Sequence, residues 1–136
     1  MSQTGSRTRV RDVHVVMVPV SDQDRAIEFY VEKLGFELRA DIEFGDADRW
    51  VEVSPPGATT GLALTPVREG WDVGRSTGIS LATDDADADH AALSEAGVDV
   101  DAEVMRMGGP VPPMFFFRDQ DGNTLLIVEQ TEGQPE

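Results

Sequence analysis

The first half of the chain has the pattern of a strand, a helix and three further strands. Residues 13–20 are rich in β-branched side chains, which is typical of a strand. Ser21 and Asp24 have the spacing of a capping box, which predicts a helix to about Leu34, ended by Gly35. Apolar runs between turn-forming residues predict the three strands. These strands cover about residues 36–44, 49–53 and 61–65.

The same order of elements then repeats. Residues 77–83 predict a strand and residues 84–96 a helix, ended by Gly97 as Gly35 ends the first. Further strands are predicted at about 100–107, 114–118 and 123–129. The expected buried stripe of the first helix consists of Ala26, Ile27, Phe29, Tyr30, Val31 and Leu34. That of the second consists of Ala88, Ala92, Leu93 and Ala96.

This repetition predicts one domain built from two βαβββ modules. We expect module one at about residues 12–66, a linker at 67–76 and module two at about 77–130. Residues 1–11 and 131–136 are expected to be flexible tails. Neither module is large enough to bury a full core alone, so the two must pack together, within one chain or across a dimer.

Two segments at opposite ends of the repeat resemble a known superfamily. These are PVSDQDRAIEFYVEKLGF (19–36) and FFFRDQDGNTLLIVEQ (115–130), where Gln120 replaces a proline usual in the closing hairpin. They look like the vicinal oxygen chelate superfamily, which includes glyoxalase I, bleomycin-resistance proteins and extradiol dioxygenases. The resemblance implies an α+β fold in which tandem βαβββ modules form curved mixed sheets around a cup-shaped cavity.

The superfamily's enzymes bind a divalent metal through His, Glu or Gln side chains at four strand positions. Alignment to the resembling segments puts Val15, Ala63, Gly78 and Leu126 at these positions. None offers a side-chain nitrogen or oxygen, so we expect neither a metal nor another cofactor.

Alternation along the strands indicates which residues face the cup. The strand face with large apolar residues, such as Leu62 and Leu64, is expected to pack against the helices. The opposite strand face is expected to line the cavity. The pattern leaves residues 114–117 undecided, because both sides are apolar there. The residues predicted to contact a ligand are Val15, Met17, Trp50, Glu52, Ala63, Gly78, Ser80 and Leu126.

Four polar or aromatic side chains keep alternative interpretations. Trp50 either stacks on a ligand or packs in the core. Glu52 either meets a cationic ligand or serves as a catalytic acid or base, or else pairs with Arg39 or Arg49. His14 is expected near the surface at a strand end, and His90 in solvent on the second helix.

Composition narrows the function. A net charge of -15 excludes nucleic acid as a probable partner and favours cationic ligands, although it also simply confers solubility. The absence of cysteine removes disulfides and thiolate chemistry, and no apolar run is long enough for a membrane span, so we expect a cytoplasmic protein. The prediction is a metal-free relative of bleomycin-resistance proteins that binds a small organic, potentially cationic ligand as a homodimer. A metal-independent lyase-like or isomerase-like enzyme using Glu52 is the alternative, and a metal-dependent glyoxalase or dioxygenase is less favoured.

Overall fold

Two four-stranded sheets make up a computed structural model that describes residues 7–46 and 48–130. The first sheet contains β1 (Val15–Val20), β2 (Glu37–Phe44), β3 (Asp48–Ser54) and β4 (Gly61–Pro66), in the order β1-β4-β3-β2. The second contains β5 (Ser76–Thr83), β6 (Asp99–Val100), β7 (Met114–Arg118) and β8 (Thr124–Glu129), in the order β5-β8-β7-β6. In each sheet the first strand is parallel to the last and the other pairs are antiparallel. This arrangement confirms the predicted pair of βαβββ modules. Of the predicted tails at 1–11 and 131–136, residues 1–6 and 131–136 lie outside the described residues.

The first helix begins one residue later than predicted. Asp22 caps α1 (Gln23–Ile27), because its carboxylate accepts hydrogen bonds from the backbone N–H groups of Asp24 and Arg25. Ser21 instead donates to Asp121 of module two through its backbone N–H (2.9 Å) and its hydroxyl (2.6 Å). The residue expected to cap the helix therefore joins the two modules.

α1 continues as a wider π-helical segment, Glu28–Lys33. Two consecutive aromatic residues of this segment, Phe29 and Tyr30, are buried. Ile27, Val31 and Leu34 are partly buried beside them. The predicted stripe thus contacts the core, although through a helix of a different kind.

The buried stripe predicted for the second helix, α2 (Ala86–Glu95), is confirmed for Leu93 but wrong for its three alanines. Ala88, Ala92 and Ala96 are exposed, whereas Ala86 and Leu93 are buried. His90 belongs to the buried side: its ring lies 5.0 Å from that of Phe115, and its Nε2 is 2.7 Å from the carbonyl oxygen of Asp101. The prediction of a solvated His90 is therefore also wrong. Because His90 is polar, the sequence pattern did not reveal that residues 86, 90 and 93 share one face of the helix.

The predicted strand at 100–107 shortens to β6, Asp99–Val100. Asp101 still exchanges backbone and side-chain hydrogen bonds with Phe116, but the chain then leaves the sheet apart from isolated bridges. Gly108 and Gly109 both adopt positive φ (80° and 63°), which turns the chain. Pro110, Pro112 and Pro113 have no N–H to donate to a ladder. These residues form the turn that precedes β7, whereas the ladder of β6 already ends at Val100.

The core lies between the modules and includes the helix-facing side chains of both sheets. Phe29 of module one stacks on Phe117 of module two with ring centroids 6.4 Å apart. Phe115 and Phe117 are fully buried while Phe116 is exposed, which settles the orientation that the sequence left open. Because both helix-facing surfaces contribute to one cluster, the opposite sheet faces point away from it. We call these opposite faces cup face one and cup face two.

A buried polar network also joins the modules. The Tyr30 hydroxyl donates to Asp119 Oδ2 (2.8 Å), and Asn123 Nδ2 donates to the same oxygen and to the carbonyl of Pro19 in β1. Asn123 Oδ1 accepts from the backbone of Gly74 and Arg75 in the linker. Burial, and next the charge of Asp119, raise the pKa of Tyr30 well above its usual value. Asp119 and Asn123 of the closing hairpin therefore link module two to module one through hydrogen bonds.

Candidate functional site

Five of the predicted ligand residues lie on cup face one, namely Val15, Met17, Trp50, Glu52 and Ala63. Met17 of β1 pairs with Ala63 of β4, which pairs with Glu52 of β3, so the three form a row across the sheet. Val15 lies two residues before Met17 on the same face and is half-buried. Met17 remains 49% exposed, whereas Ala63 is fully buried. The row is therefore partly covered by its neighbours and open at the β1 edge.

Two further predicted residues, Ser80 and Leu126, belong to cup face two. Ser80 pairs with Leu126, and Leu126 pairs with Phe116, which gives a second row on the other sheet. Gly78 lies in an irregular part of β5, where the pairing skips from Ser76 to Ser80 and Gly78 has a φ of 76°. Strict alternation therefore does not fix its direction. The two rows belong to different sheets, and the core separates the faces that carry them.

Glu52 is buried and already has partners. Its Oε2 accepts from the indole N–H of Trp50 (2.6 Å), and its Oε1 accepts from Nη2 of Arg39 (3.1 Å). Only 10% of its side chain is exposed. The Trp50 hydrogen bond, followed by the Arg39 hydrogen bond and the charges of His14 and Arg39, lowers the pKa of Glu52 despite its burial. The sequence left open whether Glu52 meets a ligand, acts as an acid or base, or pairs with Arg39 or Arg49. The structure contains the ion pair with Arg39.

Arg39 lies flat over the first sheet because Gly61 leaves room for it. A Cβ built on Gly61 would come within 3.0 Å of the Arg39 guanidinium carbon and 2.8 Å of the Val53 carbonyl oxygen. Arg39 also donates to the carbonyls of Ala58 and Thr59. Arg49, the other candidate partner of Glu52, instead pairs with Asp24 and Asp41. Sequence reasoning did not identify this role of Gly61.

Trp50 is half-buried at the point where β3 and β4 separate. The ladder between these strands covers Glu52–Ala63 and Val53–Leu62. Beyond this ladder, the side-chain amide of Gln23 from α1 donates to the backbone carbonyls of Arg49 and Leu64, both at 2.9 Å. Gln23 thus provides hydrogen bonds to carbonyl groups that have no partner across the two separated strands. Because its N–H is bound by Glu52, the orientation of the Trp50 ring is fixed.

Trp71 is a functional candidate that the sequence analysis left within the linker. Its indole N–H donates to Thr65 Oγ1 (2.8 Å), and Thr65 shares a face of β4 with Ala63. The guanidinium carbons of Arg68 and Arg75 lie 5.6 and 4.6 Å from the centre of the Trp71 ring. Both tryptophans of the chain therefore bind to the first sheet through their N–H groups. No periodicity in the linker could have revealed this, because the contact depends on a tertiary turn.

His14 is the remaining ionisable side chain near Glu52. Its Nε2 lies 3.5 Å from Glu52 Oε2, and 72% of its side chain is exposed. The residue precedes β1, so the alternation of that strand does not determine its direction. The expected surface position is confirmed, and the contact with Glu52 is an addition to it.

A model of the Glyoxalase/Bleomycin resistance protein/Dioxygenase superfamily matches residues 12–127. The chain belongs to this superfamily. The resemblance inferred from the two sequence segments is thereby confirmed.

Several known proteins are similar to this chain over almost its whole length. The crystal structure of TnmS3, an antibiotic binding protein from Streptomyces sp. CB03234, is 40% identical, covers 91% of this chain and 99% of its own, and has a TM-score of 0.78. A superfamily member from Sphaerobacter thermophilus DSM 20745 is 39% identical over 89% of this chain and 98% of its own, with a TM-score of 0.80. YetH of Bacillus subtilis (strain 168) is 30% identical over 88% of this chain and 99% of its own.

The residues present do not fit the metal site of the superfamily's enzymes. The side chains at the four aligned positions are those of Val15, Ala63, Gly78 and Leu126, which have no donor atom. Across residues 7–46 and 48–130, no group of three or more His, Asp or Glu side chains is placed to hold an ion. Glu52 and His14 approach each other, but Arg39 already occupies one oxygen of that carboxylate.

The helices described are also too short for a membrane. Among the residues that the structure covers, no helix is both long and apolar enough to span a bilayer.

Proposed function

We propose that this protein binds a small organic, mainly aromatic ligand on cup face one and holds it without chemical change. The observation that carries the proposal is the placement of Trp50 and Trp71 on this sheet. Each indole N–H has a partner, Glu52 or Thr65, so a ligand need only contact the apolar rings. The similarity to the antibiotic binding protein TnmS3 supports the same class of function.

In this proposal Glu52 has a structural role, because it binds the side chains of Trp50 and Arg39. A general acid needs a proton at neutral pH, whereas the partners of Glu52 lower its pKa and keep it ionised. A lowered pKa also makes the carboxylate a weaker base. These contacts favour a binding protein over the alternative of an enzyme that uses Glu52. They also leave Glu52 little capacity to recognise a cationic group, so the net charge of -15 would be the main source of any attraction for cations.

A second chain completes the proposed site. Cup faces one and two both point away from the shared core, so one chain does not enclose a ligand between them. Exposed apolar side chains on these faces include Met17, Ile42, Phe44 and Phe116. We propose a homodimer in which cup faces of two chains oppose each other. The cytoplasm is the proposed location, since the chain has no cysteine for disulfides.

Ligand binding is tested first with bleomycin-type glycopeptides and then with flat aromatic compounds, by thermal shift and calorimetry. For a compound that binds, we expect Trp50→Ala to weaken affinity by about 1 to 3 kcal/mol, because an anchoring ring is lost. Trp50→Phe is the matched control and should recover part of the affinity. Binding that neither Trp50→Ala nor Glu52→Gln alters would exclude cup face one as the site.

The metal-free state is tested by elemental analysis of purified protein. We expect no stoichiometric zinc, nickel, iron or manganese, since the aligned positions carry no donor atoms. About one such ion per chain, retained after dialysis, would contradict this expectation.

A further inference from the structure

The linker between the modules carries two arginines, Arg68 and Arg75, that the proposed function does not use. Trp71 lies between Arg68 and Arg75 in sequence, and both guanidinium groups approach its ring. A backbone bridge between Arg68 and Trp71, with N–O distances of 3.0 and 2.8 Å, fixes the turn that brings them together. The indole is therefore held from two sides, by its N–H on Thr65 and by this turn.

The guanidinium groups of Arg68 and Arg75 have N–H groups available for a ligand. Arg39, Arg49, Arg106 and Arg118 each pair with a carboxylate. Arg68 and Arg75 form no such pair with any carboxylate of the described residues, although the chain has 26 acidic residues. Arg75 uses its Nε–H on the carbonyl of Asp72, which leaves its terminal N–H groups available. Both side chains therefore present positive charge beside an aromatic ring.

This charge lies within reach of a ligand on cup face one. Thr65, which holds Trp71, is two residues from Ala63, which pairs with Glu52. Two residues along a strand span about 7 Å, roughly the length of two fused aromatic rings. Trp50 lies two residues before Glu52 on β3 and Thr65 two residues after Ala63 on β4, so in antiparallel strands both lie on the same side of that pair. A flat ligand on Trp50 therefore extends toward the strand position that binds Trp71. Charges elsewhere on the chain are largely screened beyond about 8 to 10 Å at physiological salt, whereas the guanidinium groups beside Trp71 act at contact distance.

We propose that the ligand of cup face one is a flat aromatic molecule with an anionic oxygen group, and that Arg68 and Arg75 select that group beside Trp71. This inference rests on the proposed function. A planar guanidinium suits it because its parallel N–H groups bind two oxygens at once. The inference opposes the cationic ligand expected from net charge alone.

The test uses three probes with one ring system: 2-naphthoate, its neutral amide and 2-(aminomethyl)naphthalene. Binding is followed in ¹⁵N-labelled protein through the two indole N–H signals, since the chain has only two tryptophans. Trp50→Phe and Trp71→Phe assign these signals. We expect all three probes to shift an indole signal, naphthoate to bind most tightly, and its addition to shift the Trp71 signal.

The arginines are then replaced together, as Arg68→Gln with Arg75→Gln. We expect naphthoate affinity to fall by about tenfold or more, as for loss of hydrogen bonds to a charged group, while affinity for the amide stays unchanged. Replacement by lysine should preserve part of the preference. The control Arg106→Gln removes one positive charge, from an arginine paired with Asp87 in module two, and should change neither affinity.

The outcomes separate this inference from the proposed function. Equal binding of the three probes, or tightest binding of the amine, overturns the preference for anions but leaves a ligand site on cup face one. If no probe shifts either indole signal, the inference is wrong for this class of ligand. The trials with glycopeptides and larger aromatic compounds then decide the proposed function on their own.

Discussion

Glu52 shows how one buried charge is stabilised by neighbours rather than by solvent. The indole N–H of Trp50 and the guanidinium of Arg39 each satisfy one oxygen, so the carboxylate remains ionised at a position that is almost fully enclosed. Removing either partner would leave a buried lone pair or charge unsatisfied. The shape of cup face one therefore depends on the ionisation of a single residue.

We predict that Glu52 makes stability sensitive to acid. Because its pKa is lowered in the folded state, its contribution is complete above the ordinary glutamate pKa of about 4.3. The contribution is lost as pH falls through the lower folded-state pKa. Glu52→Gln should reduce the free energy of unfolding at pH 7, and the difference from wild type should shrink below about pH 4.3.

Urea unfolding at several pH values between 3 and 7 measures this difference. Glu103→Gln, at an exposed glutamate, is the matched control and should follow the wild type closely. A gap between Glu52→Gln and wild type that stays constant over the whole range would contradict the prediction.

The Tyr30 hydroxyl gives a second test at the scale of one residue. Tyr30→Phe keeps the ring that packs on Phe29 and Phe36 but removes the donor to Asp119. We expect the free energy of unfolding to fall by about 1 to 3 kcal/mol, because a buried carboxylate loses a hydrogen bond. A chemical denaturation curve unchanged from wild type would show that the backbone and Asn123 donors already suffice for Asp119.

At the scale of elements, the sequence predicted strands better than helices. The side chains of a strand alternate with a period of two, so pairs such as Leu62 and Leu64 could be assigned to the core from their types alone, and both are buried. The second helix is rich in alanine, which is compatible with burial or exposure. With His90 counted as polar, nothing in the sequence distinguished one helix face from another.

The site was predicted in the same uneven way. The row of Met17, Ala63 and Glu52 followed from strand alternation and from the alignment to the superfamily. Trp71 could not be predicted, because its contact with Thr65 is made by a turn with no repeating pattern. The pairing of Glu52 with Arg39 rather than Arg49 depends on the space above Gly61, which is a property of the folded sheet.

The phase of α2 can be tested with two matched substitutions. Ala86 is fully buried and Ala88, two residues on, is exposed. Ala86→Gln should lower the free energy of unfolding by about 1 to 3 kcal/mol, since it places a longer polar side chain in a filled core. Ala88→Gln should change it by about 0.5 kcal/mol or less. Equal effects in urea denaturation would mean that the helix buries the alanine face after all.

At the scale of the whole molecule, the arrangement of the modules explains why the cup faces stay open. Phe29 on Phe117 and Asn123 on Pro19 join the modules in the buried core, and Ser21 on Asp121 joins them at the surface. The helix-facing surfaces are therefore buried between the modules, whereas each cup face stays uncovered within one chain. Apolar groups on an open sheet face are stabilised when a second surface excludes water from them.

We therefore predict that the protein is a dimer with a mass of about twice 14.8 kDa in light scattering at micromolar concentration. Ile42 pairs with Trp50 on cup face one and is 57% exposed, so Ile42→Glu should shift the mass toward one chain by placing a charge in the interface. Leu38→Glu is the matched control: it lies on the same strand, is 44% exposed, and shares the face of its partner Val53 instead. A wild-type mass of one chain, or dissociation by Leu38→Glu but not by Ile42→Glu, would show that cup face one is not the surface that joins two copies.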